Sequence, residues 1–223
     1  MRRLPVYIVA DTSGSMTGAP IEAVNQGIEF LYRELLSDPN ASETAFLSLI
    51  SFNDTVTQEQ PLSELSDFQL PSLTAGGLTD TASALEKVAE LVKQEVQIRS
   101  SKQNPGDWKP LLFLMSDGNA TSSQYEMDKA ILEFKKVKWG HVICCAMGNN
   151  IDPTKFHEIS ETVVSISQDP DSIKQFFQWI SSSVSETSRS VGTMIGLPEG
   201  DNHNPSTQLP PPPSAVRLVL PNN

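Results

Sequence analysis

Cysteine is almost absent from this chain. The two cysteines, Cys144 and Cys145, are adjacent in an apolar run. Neighbouring residues of a strand point to opposite faces, so a disulfide between these two would be strained. The sequence also lacks the CxxC and Cys/His spacings of zinc sites. These absences exclude a disulfide-stapled scaffold and a structural zinc domain, and they predict free thiols in a reducing compartment.

Long apolar runs are absent too, and positive charge is scarce. Asp11 breaks the N-terminal apolar run of residues 4–10, which leaves it too short for a signal-peptide core or a membrane span. We therefore expect a cytoplasmic protein. The chain has 16 Lys and Arg against 27 Asp and Glu, a net charge of −11. This balance disfavours non-specific binding to nucleic acid or to an anionic membrane. It suits cations or basic partner patches, although solubility alone would also explain it.

What the chain does contain is a regular alternation of strand and helix patterns. Uncharged β-prone runs predict strands at 6–10, 45–52, 111–115, 140–147 and 162–166, and 55–59 is a polar edge strand. Helical spacing of apolar residues predicts helices over 21–35, 81–97, 124–137, 153–160 and 170–190. This order predicts an α/β domain over residues 1–190. Its sheet is doubly wound, Rossmann-like and mostly parallel, with six strands, one antiparallel edge strand and helices on both faces.

The composition changes near residue 191. Residues 191–223 are rich in Gly, Pro, Asn and Ser and contain four consecutive prolines at 210–213, which predicts a proline-rich tail or linker. Its end, residues 216–220 (VRLVL), is apolar again. This end is either a strand fragment or docking segment over the edge of the core, or part of a partner-binding or inter-domain linker.

Three polar loops fall where a doubly wound sheet gathers its ligands, at the carboxyl ends of its strands. They are residues 11–15 (DTSGS), 76–81 (GGLTDT) and 116–118 (SDG). Together they supply two carboxylates and three hydroxyls, from Asp11, Ser13, Ser15, Thr79 and Asp117. Oxygen-only ligands carrying two negative charges suit a hard divalent cation, Mg²⁺ before Ca²⁺ or Mn²⁺.

Each of these residues also has a purely structural interpretation. The DTSGS loop could be a turn at the end of the strand with an N-cap serine, and Thr79 could be only the N-cap of the next helix, with Thr81 as the neighbouring candidate ligand. Asp117 could belong to a plain turn. The other carboxylates near these loops are interpreted as capping or solvated residues: Asp54 and Asp80.

The motifs of the three loops resemble those of a known family. DxSxS at 11–15, GGxT ending at Thr79 and SDG around Asp117 resemble the metal-ion-dependent adhesion site (MIDAS) of von Willebrand factor A (vWA) domains, over roughly residues 4–188. More narrowly, the N-terminal sequence RRLPVYIVADTSGSMTGAPIEAVNQGI is similar to bacterial tellurite-resistance proteins of the TerY type.

The resemblance implies a role for each matched residue. Ser13 and Ser15 would bind the metal directly, as would Thr79 in the ligand-competent arrangement. Asp11 and Asp117 would act largely through water, with Asp117 binding directly in the resting state. One metal position would remain for a carboxylate of a partner protein. The narrower resemblance implies a stress-response system whose members include a kinase and a phosphatase, either of which is a candidate partner.

Enzyme motifs are missing. A phosphatase whose nucleophilic Asp ends the first strand wants a second carboxylate two residues on, and here that position is Ser13. Neither GxxxxGK[ST] nor GxSxG occurs, and no histidine falls in the three loops. We therefore expect a metal-dependent interaction module and not an enzyme. The alternatives are a metal-dependent hydrolase or phosphatase of similar architecture, and a structural subunit that has lost its metal.

Overall fold

The computed structural model describes residues 2–98, 106–118, 120–149, 151–193 and 209–221. In these ranges one sheet has seven strands in the order β3-β2-β1-β4-β5-β6-β7. The strands are β1 (Leu4–Asp11), β2 (Ala45–Phe52), β3 (Val56–Glu64), β4 (Leu111–Ser116), β5 (His141–Met147), β6 (Thr162–Ile166) and β7 (Arg217–Leu218). The five inner strands (β2, β1, β4, β5 and β6) are parallel. The two outermost strands, β3 and β7, are antiparallel to their neighbours. The predicted α/β sheet, mostly parallel, is confirmed.

The central strand β1 shows why the sheet is covered on both faces. All eight of its residues are buried, and their side chains alternate between two apolar cores. Val6 and Ile8 join the core on one face, whereas Tyr7 and Val9 join the core on the other. A strand without a solvent face is typical of a doubly wound α/β domain.

Five helices occur in the described residues, with two 3₁₀ turns at Gly14–Met16 and Pro153–Glu158. They are α1 (Ala19–Ser37), α2 (Pro39–Thr44), α3 (Thr81–Glu95), α4 (Gln124–Lys135) and α5 (Pro170–Thr193). Apolar side chains of α1 and α5 fill one core, and those of α3 and α4 fill the other. A Cβ on Gly27 of α1 would lie 2.0 Å from Cδ2 of Phe177, so this glycine lets α5 approach α1 closely.

The predicted count of six strands is wrong, because the chain adds a seventh strand after its proline-rich run. Backbone Val219 N–H donates to Val163 O at 2.9 Å, and Val216 is buried beside β7. The indole N–H of Trp179 donates to Pro210 O at 2.7 Å. The apolar end of the tail is therefore a strand fragment on the edge of the sheet. Residues 194–208, which connect it to α5, lie outside the described residues.

Two other elements differ from the prediction. Helix α1 ends at Ser37, near the predicted end at residue 35, but an unpredicted helix, α2, begins at Pro39. There the Asp38 carboxylate accepts hydrogen bonds from the N–H groups of Asn40 and Ala41. A proline fits the first turn of a helix because its missing N–H would have no partner there. Strand β3 continues to Glu64, beyond the predicted 55–59, with an irregular register against β2.

Within the described ranges, no helix is both long enough and apolar enough to cross a bilayer.

Candidate metal centre

The three polar loops meet at the carboxyl edge of the sheet, where β1 lies beside β4. From β1 the chain passes through α1 to β2, which pairs with one edge of β1. It later passes through α3, on the opposite face of the sheet, to β4, which pairs with the other edge of β1. Such a switch point leaves a crevice beyond the strand ends, where α/β sheets bind ligands. Asp11 ends β1 and Ser116 ends β4, so the first and third loops start side by side.

Asp11 is fully buried and tightly held. Its Oδ1 accepts the backbone N–H of Ser13 at 2.8 Å, and its Oδ2 accepts the hydroxyl of Ser116 at 2.5 Å. Burial raises the pKa of the Asp11 carboxyl, although the hydrogen bonds from Ser116 and Ser13 oppose that rise. The fold thus fixes the direction of a carboxylate that is costly to ionise without a nearby positive charge.

The two serines connect the first loop to the third. Ser13 Oγ lies 3.1 Å from Ser15 Oγ, and the Ser15 hydroxyl donates to Asp117 Oδ1 at 2.7 Å. Asp117 Oδ2 accepts a hydrogen bond from the side-chain amide of Gln168. Ser13 and Asp117 are buried, whereas Ser15 is exposed. The cluster therefore opens to solvent at Ser15.

The second loop is bound to the first by two backbone hydrogen bonds. Gly76 N–H donates to Thr12 O at 2.8 Å, and Gly14 N–H donates to Gly77 O at 2.9 Å. Gly77 has a φ of +81°, and a Cβ there would lie 1.9 Å from Asp54 Oδ2, so this position needs glycine. The Asp54 carboxylate in turn accepts Leu78 N–H at 3.2 Å, which supports the loop just before Thr79.

Thr79 lies against the third loop. Its Oγ1 would be 3.0 Å from a Cβ built on Gly118, and its backbone carbonyl accepts the N–H of Thr121 at 2.9 Å. The N-cap of α3 is Asp80, whose carboxylate accepts Ser83 N–H at 3.1 Å. Capping therefore does not require the hydroxyl of Thr79.

The structure brings the five sequence-predicted residues together: hydrogen bonds link Asp11, Ser13, Ser15 and Asp117, and Thr79 lies against Gly118, the neighbour of Asp117. Thr81, the alternative to Thr79, is instead the buried first residue of α3. Sequence reasoning missed Ser116 and Gln168, and it interpreted Asp54 only as a capping or solvated residue. Ser116 stands inside the SDG motif and could have been noticed there, whereas Gln168 follows β6, 51 residues after Asp117, and carries no motif.

The donor chemistry of the cluster fits a divalent cation. Among the residues that the structure describes, no ion pair involves Asp11 or Asp117. The nearby Asp117 charge is itself one of the causes that raise the pKa of Asp11. Across the same residues no three His, Cys, Asp or Glu side chains come together as a metal site. A cation here would rely on hydroxyl oxygens, with two uncompensated carboxylates matching its charge.

Comparison with known sequences gives one family. Residues 6–179 match the sequence model of the von Willebrand factor type A domain, a span that includes all five residues of the cluster. No curated protein matches the sequence.

Solved structures with a similar fold are numerous. A von Willebrand factor type A protein from Catenulispora acidiphila superposes with a TM-score of 0.64 and 16% identity, over 83% of this chain and 43% of that one. Proximal thread matrix protein 1 from the mussel byssus, with a zinc-occupied MIDAS motif, gives 0.58 and 15% identity, over 81% and 48%. The ArnB paralog VWA2 from Sulfolobus acidocaldarius gives 0.56 and 16% identity, over 82% and 45%.

These likenesses concern the fold. At such low identity a shared fold carries no conclusion about ligands or partners. The chain also spans less than half the length of each of these three proteins.

Proposed function

Because the chain belongs to the von Willebrand factor type A family, we propose that it is a metal-dependent protein-interaction module that binds a carboxylate of its partner. The observation that carries this proposal is the cluster of Asp11, Ser13, Ser15, Thr79 and Asp117, in which two carboxylates lack a basic partner among the described residues. The hydroxyls of Ser13, Ser15 and Thr79 would hold the cation. Asp11 and Asp117 would balance its charge from behind the serines.

We propose Mg²⁺ as the cation, with Mn²⁺ or Ca²⁺ as alternatives. All five side chains offer hard oxygen donors, which suit Mg²⁺, Ca²⁺ and Mn²⁺ better than softer ions. A cation held mainly by neutral hydroxyls keeps much of its positive charge. It therefore attracts one more anionic ligand.

The surroundings of the site support dependence on the metal. A groove of about 360 Å³ runs from Leu78 and Asp80, the two neighbours of Thr79, to the first two turns of α3 and α4. Four carboxylates and a single ammonium group line it, from Asp54, Asp80, Glu86, Glu126 and Lys129. Without a cation, this negative surface would repel an acidic partner residue. A bound divalent ion reverses the local sign, so the same residue would bind only to the loaded site.

We further propose that the module works in a bacterial tellurite or stress-response system. The support is the similarity of the N-terminal sequence to TerY-type proteins, and it suggests a kinase or phosphatase of the same system as the partner. A cytoplasmic location accords with the two cysteines, both of which are free and buried.

The competing proposal is a metal-dependent hydrolase or phosphatase of similar architecture. Its weakness is the chemistry of the first loop, where Ser13 occupies the position of the second carboxylate. A hydrolase would release nitrophenol from p-nitrophenyl phosphate in the presence of Mg²⁺, and Asp11→Asn would abolish that activity. We expect no turnover above the level of this variant.

The experiment that tests the proposed function is affinity capture from a lysate of the native organism. The wild-type protein is used with Mg²⁺ and with EDTA, beside Asp11→Asn and the control Asp128→Asn, which changes an exposed Asp of α4. We expect one protein to be retained by the wild type and the control with Mg²⁺ only. Equal retention with EDTA, or by Asp11→Asn, would show that another surface makes the contact.

A further inference from the structure

Gln168 contacts the cluster but belongs to none of the three sequence motifs. It is the second residue after β6, and its side chain is half-buried. Its Oε1 would lie 3.4 Å from a Cβ on Gly148, and its Nε2 is 3.7 Å from Met16 Sδ. Packing between the loop after β5 and the first 3₁₀ turn therefore limits where the amide can point.

The amide of Gln168 completes the hydrogen bonding of the Asp117 carboxylate. Oδ2 of Asp117 accepts the Gln168 N–H, while Oδ1 accepts the hydroxyl proton of Ser15. Because the Ser15 proton points at Asp117, the lone pairs of Ser15 Oγ are left to face a cation. Each oxygen of Asp117 thus accepts one hydrogen bond, and the orientation of the carboxylate is fixed at both ends.

We propose that Gln168 is a positioning residue that keeps Asp117 from binding the cation directly. Held by Gln168, Asp117 acts through Ser15 and solvent, so the cation keeps a water where it would otherwise bind the carboxylate directly. The cation then binds less tightly but remains more receptive to a carboxylate from outside. This inference rests on the proposed function, since it concerns the affinity of the same site for the metal and the affinity of the bound metal for a partner carboxylate.

Removing the amide N–H of Gln168 should change both of these affinities. With only Oδ1 anchored, the Asp117 carboxylate can turn and offer Oδ2 to the cation. A carboxylate is a stronger ligand than a water or a hydroxyl for a hard ion, and ligand charge tunes affinity over orders of magnitude. The variant therefore holds the metal more tightly and accepts an added carboxylate less well.

The test uses Mn²⁺ as the probe, with calorimetry for affinity and water-proton relaxation for the number of waters on the bound ion. We expect Gln168→Leu to bind Mn²⁺ about tenfold more tightly than the wild type. Its relaxivity should be lower, because Asp117 has replaced a water. Acetate should lower the relaxivity of the wild-type complex and have a smaller effect on the variant. Gln94→Leu, which removes an exposed amide of α3 that donates to Glu90, should match the wild type.

A second variant keeps the inference testable if Gln168→Leu folds poorly. Gln168→Glu has the same shape but replaces the N–H donor with a carboxylate oxygen, which should repel Asp117 toward the metal. Wild-type affinity and relaxivity in a folded variant, or weaker binding with unchanged relaxivity, would overturn the role of Gln168 and leave the proposed function standing. Failure of the wild-type protein to bind Mn²⁺ would overturn both.

Discussion

The hydroxyl of Ser116 donates a 2.5 Å hydrogen bond to Oδ2 of Asp11, joining the last residues of two neighbouring parallel strands. Asp11 and Ser116 are both fully buried. The bond therefore connects the first loop of the cluster to the third within the protein interior, beneath the side chains that face solvent. It explains how a carboxylate with a raised pKa keeps one orientation.

Ser116→Ala should lower both the unfolding free energy of the protein and the Mg²⁺ affinity of the site. The buried Oδ2 of Asp11 would lose its donor, which typically costs about 1–3 kcal/mol of unfolding free energy. Loss of an orienting partner should also lower Mg²⁺ affinity by about 10- to 100-fold. Chemical denaturation and calorimetry measure the two effects. The control is Ser37→Ala, whose hydroxyl donates to a helix carbonyl at the surface; equal behaviour of both variants would contradict this role of Ser116.

Gly77→Ala should displace the loop that carries Thr79. The new Cβ would clash with the Asp54 carboxylate and would sit on a residue with a φ of +81°, so we expect a loss of about 1–3 kcal/mol in unfolding free energy. Gly76→Ala is the matched control, because a Cβ there meets nothing within 4 Å. Thermal melts and Mg²⁺ titration of the two variants decide the matter, and identical results would refute the steric argument.

Asp38 should make stability depend on pH. Burial acts to raise the pKa of its carboxyl, but the N–H groups of the first turn of α2 and the Arg189 guanidinium outweigh burial and lower the pKa below its ordinary value of 3.8. A lowered folded pKa contributes stability above the unfolded pKa, and this contribution is lost as the pH falls through the folded pKa. Asp38→Ala should therefore cost about 1 kcal/mol at neutral pH and less below pH 3.8. Urea denaturation at both pH values tests this, and an equal cost at both would contradict it.

The C-terminal segment should stabilise the domain through Val216. Its side chain is 3% exposed, whereas that of Leu220 is 79% exposed. Val216→Ala should lower the unfolding free energy by about 1–3 kcal/mol, and Leu220→Ala should leave it nearly unchanged. If the two variants melt together in differential scanning calorimetry, the segment does not contribute to the folded core.

The sequence predicted the elements whose pattern is local. Uncharged runs identified β4 and β6, and the DxSxS, GGxT and SDG motifs identified five side chains that the fold brings together. It left β7 as one of two alternatives, because this strand has two residues and depends on pairing with β6. It failed for Gln168, because its contact with Asp117 arises only when the loop after β6 folds beside the end of β4. Helix α2 was missed because Pro39 suggests a helix end as readily as a helix start.

The most direct test of the account is a calorimetric titration of metal-free protein with Mg²⁺. We predict one binding site in the wild type and in Asp128→Asn, and no binding heat in Asp11→Asn. The Asp11→Asn variant should remain folded, because the substitution removes a buried charge while preserving the shape of the side chain. Absence of binding heat and of a thermal shift in the wild type, or binding by Asp11→Asn equal to that of the wild type, would contradict the account.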